Sequence, residues 1–357
     1  MSQPQQVAIV IGSDKTSFSV KSIDIPKPEV DEILVKVLAA AQNPIDLKTV
    51  ELGFLDEGFV PGCDYAGIVE EVGSSVKGVK KGDRVAGFQG GSYGTFAQFV
   101  RVDGKNFFRI PEEVSFDNAA SYGIAFQTAT LGLYHTLKLP EPYNARDEEV
   151  TPILVWGGAS SVGMVVIQLA KLSGLTVITT ASQKNAEYLK SLGADYVFPY
   201  NDPNTPAEIR KITNGKLYLA YDTISEKGTT QLVIDAFGAD SDIPKGKKKE
   251  LINLRSVPCE ALDSKADSVT RHRLLGSTLL GKDITVYGIR VPANPLVYAF
   301  SIHSYDLLER LLKEKKLQHQ RTKILGGLEY VPEGFAYMKE GKNSAEKIIY
   351  RPAETKQ

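Results

Sequence analysis

A glycine-rich turn at residues 157–163 points more directly to a chemistry than any other segment. It reads "GGASSVG", follows the apolar run "ILVW" and leads into an amphipathic helix-like segment. Small residues let a backbone approach a pyrophosphate, and a helix N-terminus offers free amides and a positive dipole end. We therefore predict a dinucleotide site, the alternative being a tight structural turn. Its residues are Gly158, Ala159, Ser160, Ser161, Val162 and Gly163, with Ser160 standing where glycine is commoner and able to donate its hydroxyl to phosphate.

The end of the next strand-like run indicates which dinucleotide binds. Folds that prefer NAD place Asp or Glu about 20 residues after the glycine turn, where the carboxylate binds the ribose 2′-hydroxyl. No carboxylate lies between Thr179 and Asn185, and Ser182 and Lys184 stand at that place. We therefore predict NADPH, bound by Ser182, Lys184 and Asn185. The alternative for Lys184 is an ordinary surface lysine in the first turn of a helix.

Two kinds of pattern divide the chain. Residues 1 to about 120 form short strand-like runs between Gly and Pro turns, which predicts a small barrel-like β unit. From Asp117, a candidate helix N-cap, helices and strands alternate, which predicts a doubly wound parallel sheet. The predicted strands are 153–158, 176–181, 195–200, 217–224, 250–254 and 284–290, and the predicted helices are 161–173, 184–191, 205–213 and 228–238.

The last segment returns to short strand-like pieces, "KILGGLEY" and "EKIIYRP". Since these pieces have no partners in the α/β half, we expect them to complete the first β domain. The domains are then 1–120 with 321–357, and an inserted nucleotide-binding domain at 121–320. We expect the site in the cleft between them.

Composition narrows the classes of partner. Of 357 residues, 42 are basic and 43 acidic, so no overall field favours nucleic acid or anionic lipid. The basic run "KGKKK" at 245–249 predicts a solvated loop, with a phosphate-attracting patch as the alternative. No apolar run approaches the roughly 18 residues of a membrane span, and the N-terminus lacks a leader pattern, which together predict a cytoplasmic protein.

Several phrases carry a family resemblance. "GCDYAGIVEEVG" followed by "GDRV", together with "NPIDLK" and "GKNSAEKIIY", resembles the medium-chain dehydrogenase/reductase superfamily along nearly the whole chain, and most of all its zinc-free quinone and enoyl reductase branch. "FQTATLGLYHTL" and "TTASQKNAEYLKSLGADYVFPY" are similar to fungal trans-acting enoyl reductases and toxin-biosynthesis-type oxidoreductases. The resemblance implies an α/β fold: a GroES-like β-barrel-type domain plus a doubly wound, parallel-sheet Rossmann domain inserted before the C-terminal return.

The same resemblance bears on metal binding. Zinc-dependent members begin this motif with Gly-His-Glu, and the histidine binds zinc with an upstream and a downstream cysteine. Here Cys63 replaces the histidine, Asn43 replaces the upstream cysteine, and 123–125 is Gly-Ile-Ala. A catalytic zinc needs three protein ligands, and one Cys with one Asp does not supply them. The chain has only two cysteines, so the four-cysteine structural zinc site is also lost. We predict no metal, and Cys63 as a small buried residue.

The resemblance also implies positions for site residues. Asn43, Pro44, Ile45, Asp46 and Thr128 would line the nicotinamide end, Tyr200 the adenosine side, and the backbone of Gly288 and Ile289 the nicotinamide. Asn43 could donate to a ribose hydroxyl or substrate oxygen, or cap the turn before Pro44; Asp46 could be a buried acid, or a structural group that holds the loop. Tyr65 and Tyr122 are candidate proton donors.

Without a Lewis acid, the acceptor must be polarised by hydrogen bonds, which suits hydride addition to an enone or enoyl thioester. We therefore predict a zinc-independent, NADPH-dependent reductase of activated C=C bonds in enoyl, enal, enone or quinone substrates. The alternatives are an NADPH-dependent aldehyde reductase and a nucleotide-binding protein without turnover. Expected partners are a small-molecule substrate and, if the resemblance extends that far, an acyl carrier. We expect a monomer or a homodimer.

Overall fold

The computed structural model describes residues 4–90, 93–144, 151–254, 262, 264–286 and 289–356. The chain divides into two compact units. Unit 1 comprises Met1–Gln127 with Ser277–Gln357, and unit 2 comprises Thr128–Gly276. Unit 2 is thus an insertion into unit 1.

The elements in chain order are as follows. The strands are β1 (Gln5–Ile11), β2 (Phe18–Asp24), β3 (Glu32–Ala41), β4 (Asp64–Val72), β5 (Arg84–Phe88), β6 (Phe99–Asp103), β7 (Phe108–Arg109), β8 (Pro152–Trp156), β9 (Thr176–Ala181), β10 (Tyr196–Pro199), β11 (Leu219–Asp222), β12 (Lys249–Asn253), β13 (Val269–Arg273), β14 (Ile284–Val286), β15 (Ile289–Val291), β16 (Arg321–Gly326) and β17 (Glu346–Tyr350). The helices are α1 (Pro44–Glu51), α2 (Phe116–Ala120), α3 (Gly123–Thr130), α4 (Ser161–Leu172), α5 (Ala186–Ser191), α6 (Thr205–Ile212), α7 (Thr229–Ala236), α8 (Pro295–Lys313) and α9 (Val331–Lys339). None of these helices is both long and apolar enough to span a bilayer.

Unit 1 is built on one seven-stranded sheet and two small strand pairs. The sheet runs β16-β17-β3-β4-β5-β7, with β6 also paired to β3, and every pairing except β16 with β17 is antiparallel. The C-terminal strand β17 lies directly beside β3. The predicted return of the chain to the first β domain is therefore confirmed.

Aromatic side chains fill much of the unit 1 core. Phe96 packs edge-on against Tyr350 with ring centroids 5.3 Å apart, and Phe18 does the same against Phe335 at 5.5 Å. Tyr65 lies in the same cluster and is fully buried. Edge-to-face pairs of this kind stabilise a core beyond their buried area. Because these residues come from both ends of the chain, the core closes only when both parts of unit 1 meet.

Unit 2 is a six-stranded parallel sheet in the order β10-β9-β8-β11-β12-β13. Numbered by appearance, this is the order 3-2-1-4-5-6 of doubly wound dinucleotide folds. The strand β8 is apolar and buried from its second residue on, as expected for a parallel strand covered on both faces. The predicted doubly wound architecture is confirmed.

The sixth strand of this sheet is not the one predicted. Val269–Arg273, reading "VTRHR", pairs with β12, whereas residues 284–286 and 289–291 form an antiparallel hairpin of their own. The prediction of a single strand over 284–290 was wrong, and residues 287 and 288 lie outside the described residues. An edge strand is covered on one side only and tolerates charged side chains, so β13 lacks the apolar pattern on which the prediction relied.

The unit boundaries also differ from the predicted domain limits at 120 and 321. The helix α8 belongs to unit 1, because buried serines of this helix form hydrogen bonds within that unit. Gln127 Nε2 donates to the Ser301 carbonyl at 2.8 Å, and Ser304 Oγ donates to Gln127 Oε1 at 2.8 Å. A helical pattern alone cannot reveal such long-range partners.

The helix start predicted at Asp117 lies two residues earlier. Ser115 is the N-cap of α2, and its hydroxyl accepts from the Asn118 amide at 3.2 Å. Asp117 instead forms an ion pair with Arg351 at 2.7 Å. Both residue types cap helices well, so the sequence alone did not separate them.

Candidate functional site

The glycine turn of unit 2 keeps its backbone bare because side chains do not fit there. Gly157 has a φ of +83°, and a Cβ on it would lie 2.5 Å from Ile224 Cγ1. A Cβ on Gly158 would lie 2.1 Å from Thr179 Oγ1, and one on Gly163 would lie 2.5 Å from the Gly157 carbonyl oxygen. The three glycines therefore let the turn pack closely at the N-terminus of α4, the arrangement by which dinucleotide folds bring backbone amides to a pyrophosphate.

Ser160 is the N-cap residue of α4. Its hydroxyl accepts from the Gly163 amide at 2.9 Å and lies within donating distance of Thr223 Oγ1 at 2.8 Å. Thr223 Oγ1 in turn lies 2.9 Å from the carbonyl oxygens of both Trp156 and Gly157. The Ser160 hydroxyl thus has internal partners, which differs from its predicted donation to phosphate. The Val162 amide lies in the first turn of α4, where amides have no intrahelical acceptor.

Asp222 was missed by the sequence reasoning. It ends β11, is fully buried, and accepts from the Ser225 amide at 2.9 Å and from the Thr229 and Thr230 hydroxyls at 2.9 and 3.0 Å. Burial raises the pKa of Asp222, and these hydrogen bonds oppose the rise. The bonds fix the loop that carries Thr223, and so support the glycine turn indirectly. The available signal was "DT" directly after a buried strand, at the sheet edge where such folds bind ligands.

The residues predicted to select the cofactor meet at the same carboxyl edge. Ala181 pairs with Pro199 in neighbouring strands, so Ser182 and Tyr200 follow adjacent strand ends. Tyr200 is 53% exposed.

Lys184 is exposed, and among the described residues it has no ion-pair partner. Asn185 is buried, and its Nδ2 donates to Ser182 Oγ at 3.3 Å. Asn185 therefore holds the turn, while Lys184 and Tyr200 remain available to a ligand.

Thr128 lies in α3 just before a π-helical turn, Leu131–Thr136. Such a turn shifts backbone bonding to i→i+5 and leaves a carbonyl without its helical donor. The Thr128 carbonyl accepts from the buried Tyr221 hydroxyl at 2.7 Å. Gly132 permits this contact, because a Cβ there would lie 2.3 Å from the Tyr221 ring. Thr128 is thereby fixed in position within unit 2.

In unit 1, Asn43, Asp64 and Lys347 form a buried charged triad. The Lys347 ammonium lies 3.1 Å from Asp64 Oδ2 and 2.5 Å from Asn43 Oδ1. Asn43 Nδ2 donates to Asp64 Oδ2 at 2.9 Å, and the other Asp64 oxygen accepts from the Ile124 amide at 2.7 Å. The Lys347 and Asp64 side chains are 2% and 0% exposed, so the ammonium and the carboxylate neutralise each other inside the core.

Asp46 and Cys63 adjoin this triad. Asp46 Oδ2 accepts from the Asn43 amide at 2.7 Å, which fixes the start of α1 at Pro44 and Ile45. Burial, together with the charge of Asp64, raises the pKa of Asp46 to about 7, against the opposing contacts from Cys63 and Asn43. Burial followed by the charge of Asp46 raises the pKa of the Cys63 thiol, so the thiol is protonated at neutral pH.

These residues do not fit a zinc ion. Asn43 Oδ1 already receives the Lys347 ammonium, and this cation occupies the electrostatic role beside Asp64. Among the described residues, no group of three or more His, Cys, Asp and Glu side chains is arranged to hold a metal. Cys63 is partly rather than fully buried.

The two candidate tyrosines have different surroundings. Tyr65 is fully buried, its hydroxyl has no hydrogen-bond partner among the described residues, and burial raises its pKa. A hydroxyl enclosed in the core is poorly placed to serve a substrate. The Tyr122 hydroxyl lies 2.9 Å from His319 Nδ1, and burial lowers the pKa of His319, which favours its neutral form.

Two predicted residues give little information. Gly288 lies outside the described residues, and Ile289 is the first residue of β15, in the hairpin rather than in the parallel sheet.

Comparison with known proteins identifies the family. The Alcohol dehydrogenase GroES-like domain model matches residues 29–112, and the Zinc-binding dehydrogenase model matches residues 161–242. Trans-enoyl reductase ACTTS2 of Alternaria alternata is 36% identical over 352 residues, covering 96% of this chain and 98% of that protein. Trans-enoyl reductase TOXD of Cochliobolus carbonum is 46% identical over 227 residues, covering 62% and 76%.

Solved structures agree on the fold. The CurK enoyl reductase superposes with a TM-score of 0.78 at 18% identity, covering 98% of this chain and 99% of that one. The quinone oxidoreductase from Coxiella burnetii superposes with a TM-score of 0.74 at 23% identity, covering 98% and 99%. With a GroES-like domain, an inserted Rossmann-type domain and these relatives, the chain belongs to the medium-chain dehydrogenase/reductase superfamily and is an oxidoreductase similar to fungal trans-enoyl reductases.

Proposed function

We propose that this oxidoreductase reduces activated C=C bonds with NADPH and without zinc. The observation that carries the proposal is the likeness to proteins named trans-enoyl reductases along 96% of the chain. The buried triad supports the zinc-independent part, since Asn43 replaces the upstream cysteine ligand of the zinc-dependent relatives and its Oδ1 receives the Lys347 ammonium. The reducible group is an enoyl, enal, enone or quinone.

The residues of unit 2 fit a phosphorylated dinucleotide. The bare backbone at Gly158 and Gly163 would receive the pyrophosphate, and Lys184 with Ser182 would face the ribose 2′-phosphate. Tyr200 would cover the adenosine side. When bound, NADPH supplies the hydride for the reduction. Lys184 is the residue that we propose selects NADPH over NADH, because no carboxylate stands at its place to repel a phosphate.

In unit 1, Asn43 and Asp46 are best explained as positioning residues. Both hydrogens on Asn43 Nδ2 are used, by Asp64 at 2.9 Å and by the Ala41 carbonyl at 3.3 Å. This favours the structural alternative over donation to a ligand. Their combined effect is to fix Pro44 and Ile45 at the start of α1, which we propose line the nicotinamide end.

The experiment that tests the proposal is product analysis. Purified protein is given NADPH and a trans-2-enal, cofactor absorbance is followed, and the products are identified, with NADH as the parallel control. We expect the saturated aldehyde and faster turnover with NADPH. An allylic alcohol would reassign the enzyme as an aldehyde reductase. No cofactor oxidation with either enals or quinones would favour a nucleotide-binding protein without turnover.

An acyl carrier is the macromolecular partner that this activity suggests. The same enoyl chain would be offered as a small thioester and as a carrier-bound thioester. A higher kcat/KM with the carrier-bound chain would support docking, and equal values would leave the free small molecule as the substrate. A monomeric or dimeric state and a cytoplasmic location remain predictions, which light scattering and imaging of a tagged protein would test.

A further inference from the structure

Unit 2 contains a pocket at the opposite edge of its parallel sheet from the glycine turn. Its volume is about 310 Å³. Pro152 and Thr176, which line it, are the first residues of β8 and β9, and Tyr196 is the first residue of β10. The glycine turn and Ser182 follow the other ends of these strands. An occupant of this pocket would therefore not overlap the proposed dinucleotide site.

The walls of the pocket are about half apolar and half polar. Ile178, Ile212, Tyr196 and Tyr218 contribute to them. Tyr196 and Ile212 leave 47% and 38% of their surfaces exposed, although both are large apolar side chains. Ligand pockets typically measure about 300–1,000 Å³ and combine apolar walls with a few polar groups. Its volume places this cavity at the small end of that class, and its lining is more polar than is usual there.

The polar groups of the pocket include two cations. Lys216 and Lys247 line it, and none of the lining residues that the structure describes is Asp or Glu. In the described part of the chain neither ammonium has a carboxylate partner, whereas nearby Lys249 is paired with Asp240 at 2.5 Å. The Lys247 ammonium lies 5.9 Å from the centroid of the Tyr218 ring. Among the described residues, the pocket thus offers two ammonium groups without an ion-pair partner, one of them near an aromatic ring.

We propose that this pocket binds a small aromatic carboxylate. The ring would pack between Tyr196 and the aliphatic side chains, and the carboxylate would face Lys216 and Lys247. Two ammonium groups favour an anion over a neutral molecule of the same shape. This site is independent of the proposed reductase activity, because it uses none of the residues assigned to the cofactor or substrate.

Calorimetric titration with 2-naphthoate tests the proposal, using the full chain saturated with NADPH so that the glycine turn is occupied. The uncharged control ligand is 2-naphthamide. The double variant Lys216→Met/Lys247→Met removes the cations of the pocket, and Lys248→Met is the matched control, since Lys248 is exposed in the same turn but does not line the cavity. Circular dichroism checks that each variant is folded.

We expect 2-naphthoate to bind, the double variant to weaken binding about tenfold, and Lys248→Met to leave it unchanged, with naphthamide about tenfold weaker on the original protein. Raised salt should weaken naphthoate binding, since the lysines are exposed. Absence of heat up to millimolar naphthoate would overturn the proposal. So would equal binding by the double variant, or naphthoate binding that appears only when NADPH is omitted.

Discussion

The charged triad of unit 1 and the glycine edge of unit 2 use polar groups in opposite ways. Asp64 and Lys347 are buried, and each contacts a partner within the same unit. At the other region, the bare turn around Gly158 and the exposed Lys184 present donors that the described structure leaves to a ligand. We call the triad the closed region, because its polar groups bond within the protein. We call the glycine turn with Lys184 the open region, because we expect its polar groups to bind a ligand.

The comparison shows that residue type alone does not reveal a binding site. Asn43, Asp46 and Cys63 are all capable of binding a metal or a substrate, yet their polar atoms face one another or the protein core. Burying a charge is tolerable only when it is paired and hydrogen-bonded, so closure of such a network is a condition of its existence. A ligand site needs the reverse, which is why it collects on strand ends and helix N-termini.

Breaking the closed region should have the largest effect. Lys347→Met leaves Asp64 buried without its cation, and we expect the free energy of unfolding to fall by about 3–5 kcal/mol. Urea denaturation measures this. The double variant Asp64→Asn/Lys347→Met should recover part of the loss, because no unpaired charge remains. A loss below about 1 kcal/mol in the single variant would show that the pair is not a closed unit.

Blocking the open region should reduce cofactor binding instead. Gly158→Ala places a Cβ against Thr179, and we expect NADPH binding to weaken by about 30-fold or more, roughly 2 kcal/mol. Fluorescence titration gives the Kd. Gly174→Asn is the control, since Gly174 lies just beyond the same helix α4, has open space around it and has a positive φ that Asn tolerates. Equal weakening by both variants would mean that the turn is not the binding surface.

The closed region should also make the free energy of unfolding depend on pH. Because the folded pKa of Asp46 is about 7 and the usual value is 3.8, the unfolded chain releases this proton first as pH rises. Stability is therefore lost between about pH 4 and 7, and levels off above. Asp46→Asn lacks this loss, so its free energy of unfolding relative to the original protein should rise across that window by about 3–4 kcal/mol. A difference in unfolding free energy that is constant from pH 4.5 to 8 would contradict the assignment.

The open region should select between cofactors. Lys184→Ala should weaken NADPH binding about tenfold, or 1.4 kcal/mol, and leave NADH binding unchanged. The ratio of kcat/KM with NADPH to kcat/KM with NADH measures this change in cofactor preference. Lys190→Ala is a matched control, because Lys190 is an exposed lysine on the adjoining helix and is paired with Glu187. A parallel loss for both cofactors would assign Lys184 a structural role.

The smallest effect is expected at Thr223, which holds the glycine turn of the open region in place. Thr223→Val removes the hydroxyl that contacts Ser160 and the carbonyls of the glycine turn. One such hydrogen bond contributes about 1 kcal/mol, so the KM for NADPH should rise about fivefold. Ser191→Ala, which removes a hydroxyl bonded only within its own helix, should have no effect on KM.

Sequence reasoning succeeded where the determinants are local. The glycine turn, α4 and the strands before and after it follow from the spacing of neighbouring residues. The sheet order also follows, because successive strand–helix–strand units allow few arrangements. The polar edge strand β13 was not predicted, because edge strands carry no obligatory apolar pattern.

The triad was missed for a different reason. Lys347 and Asn43 are 304 residues apart, and no local pattern connects them. The one signal was a lysine inside an apolar strand, "EKIIY", a position at which a buried charge requires a partner. The role of Asp222 could not be predicted either, because it accepts hydrogen bonds from a loop that folds back over it.

The splitting of unit 1 around unit 2 has a consequence for synthesis on the ribosome. Unit 2 is continuous in sequence and can be completed as soon as Gly276 has emerged. Asp64, by contrast, is made early and meets Lys347 only near the end of translation, which at about 5–20 residues per second is a delay of tens of seconds. During that interval β3 has no β17 beside it, and an exposed strand edge invites pairing with other chains. The nascent chain is therefore expected to need a chaperone on its first β domain until the last strand arrives.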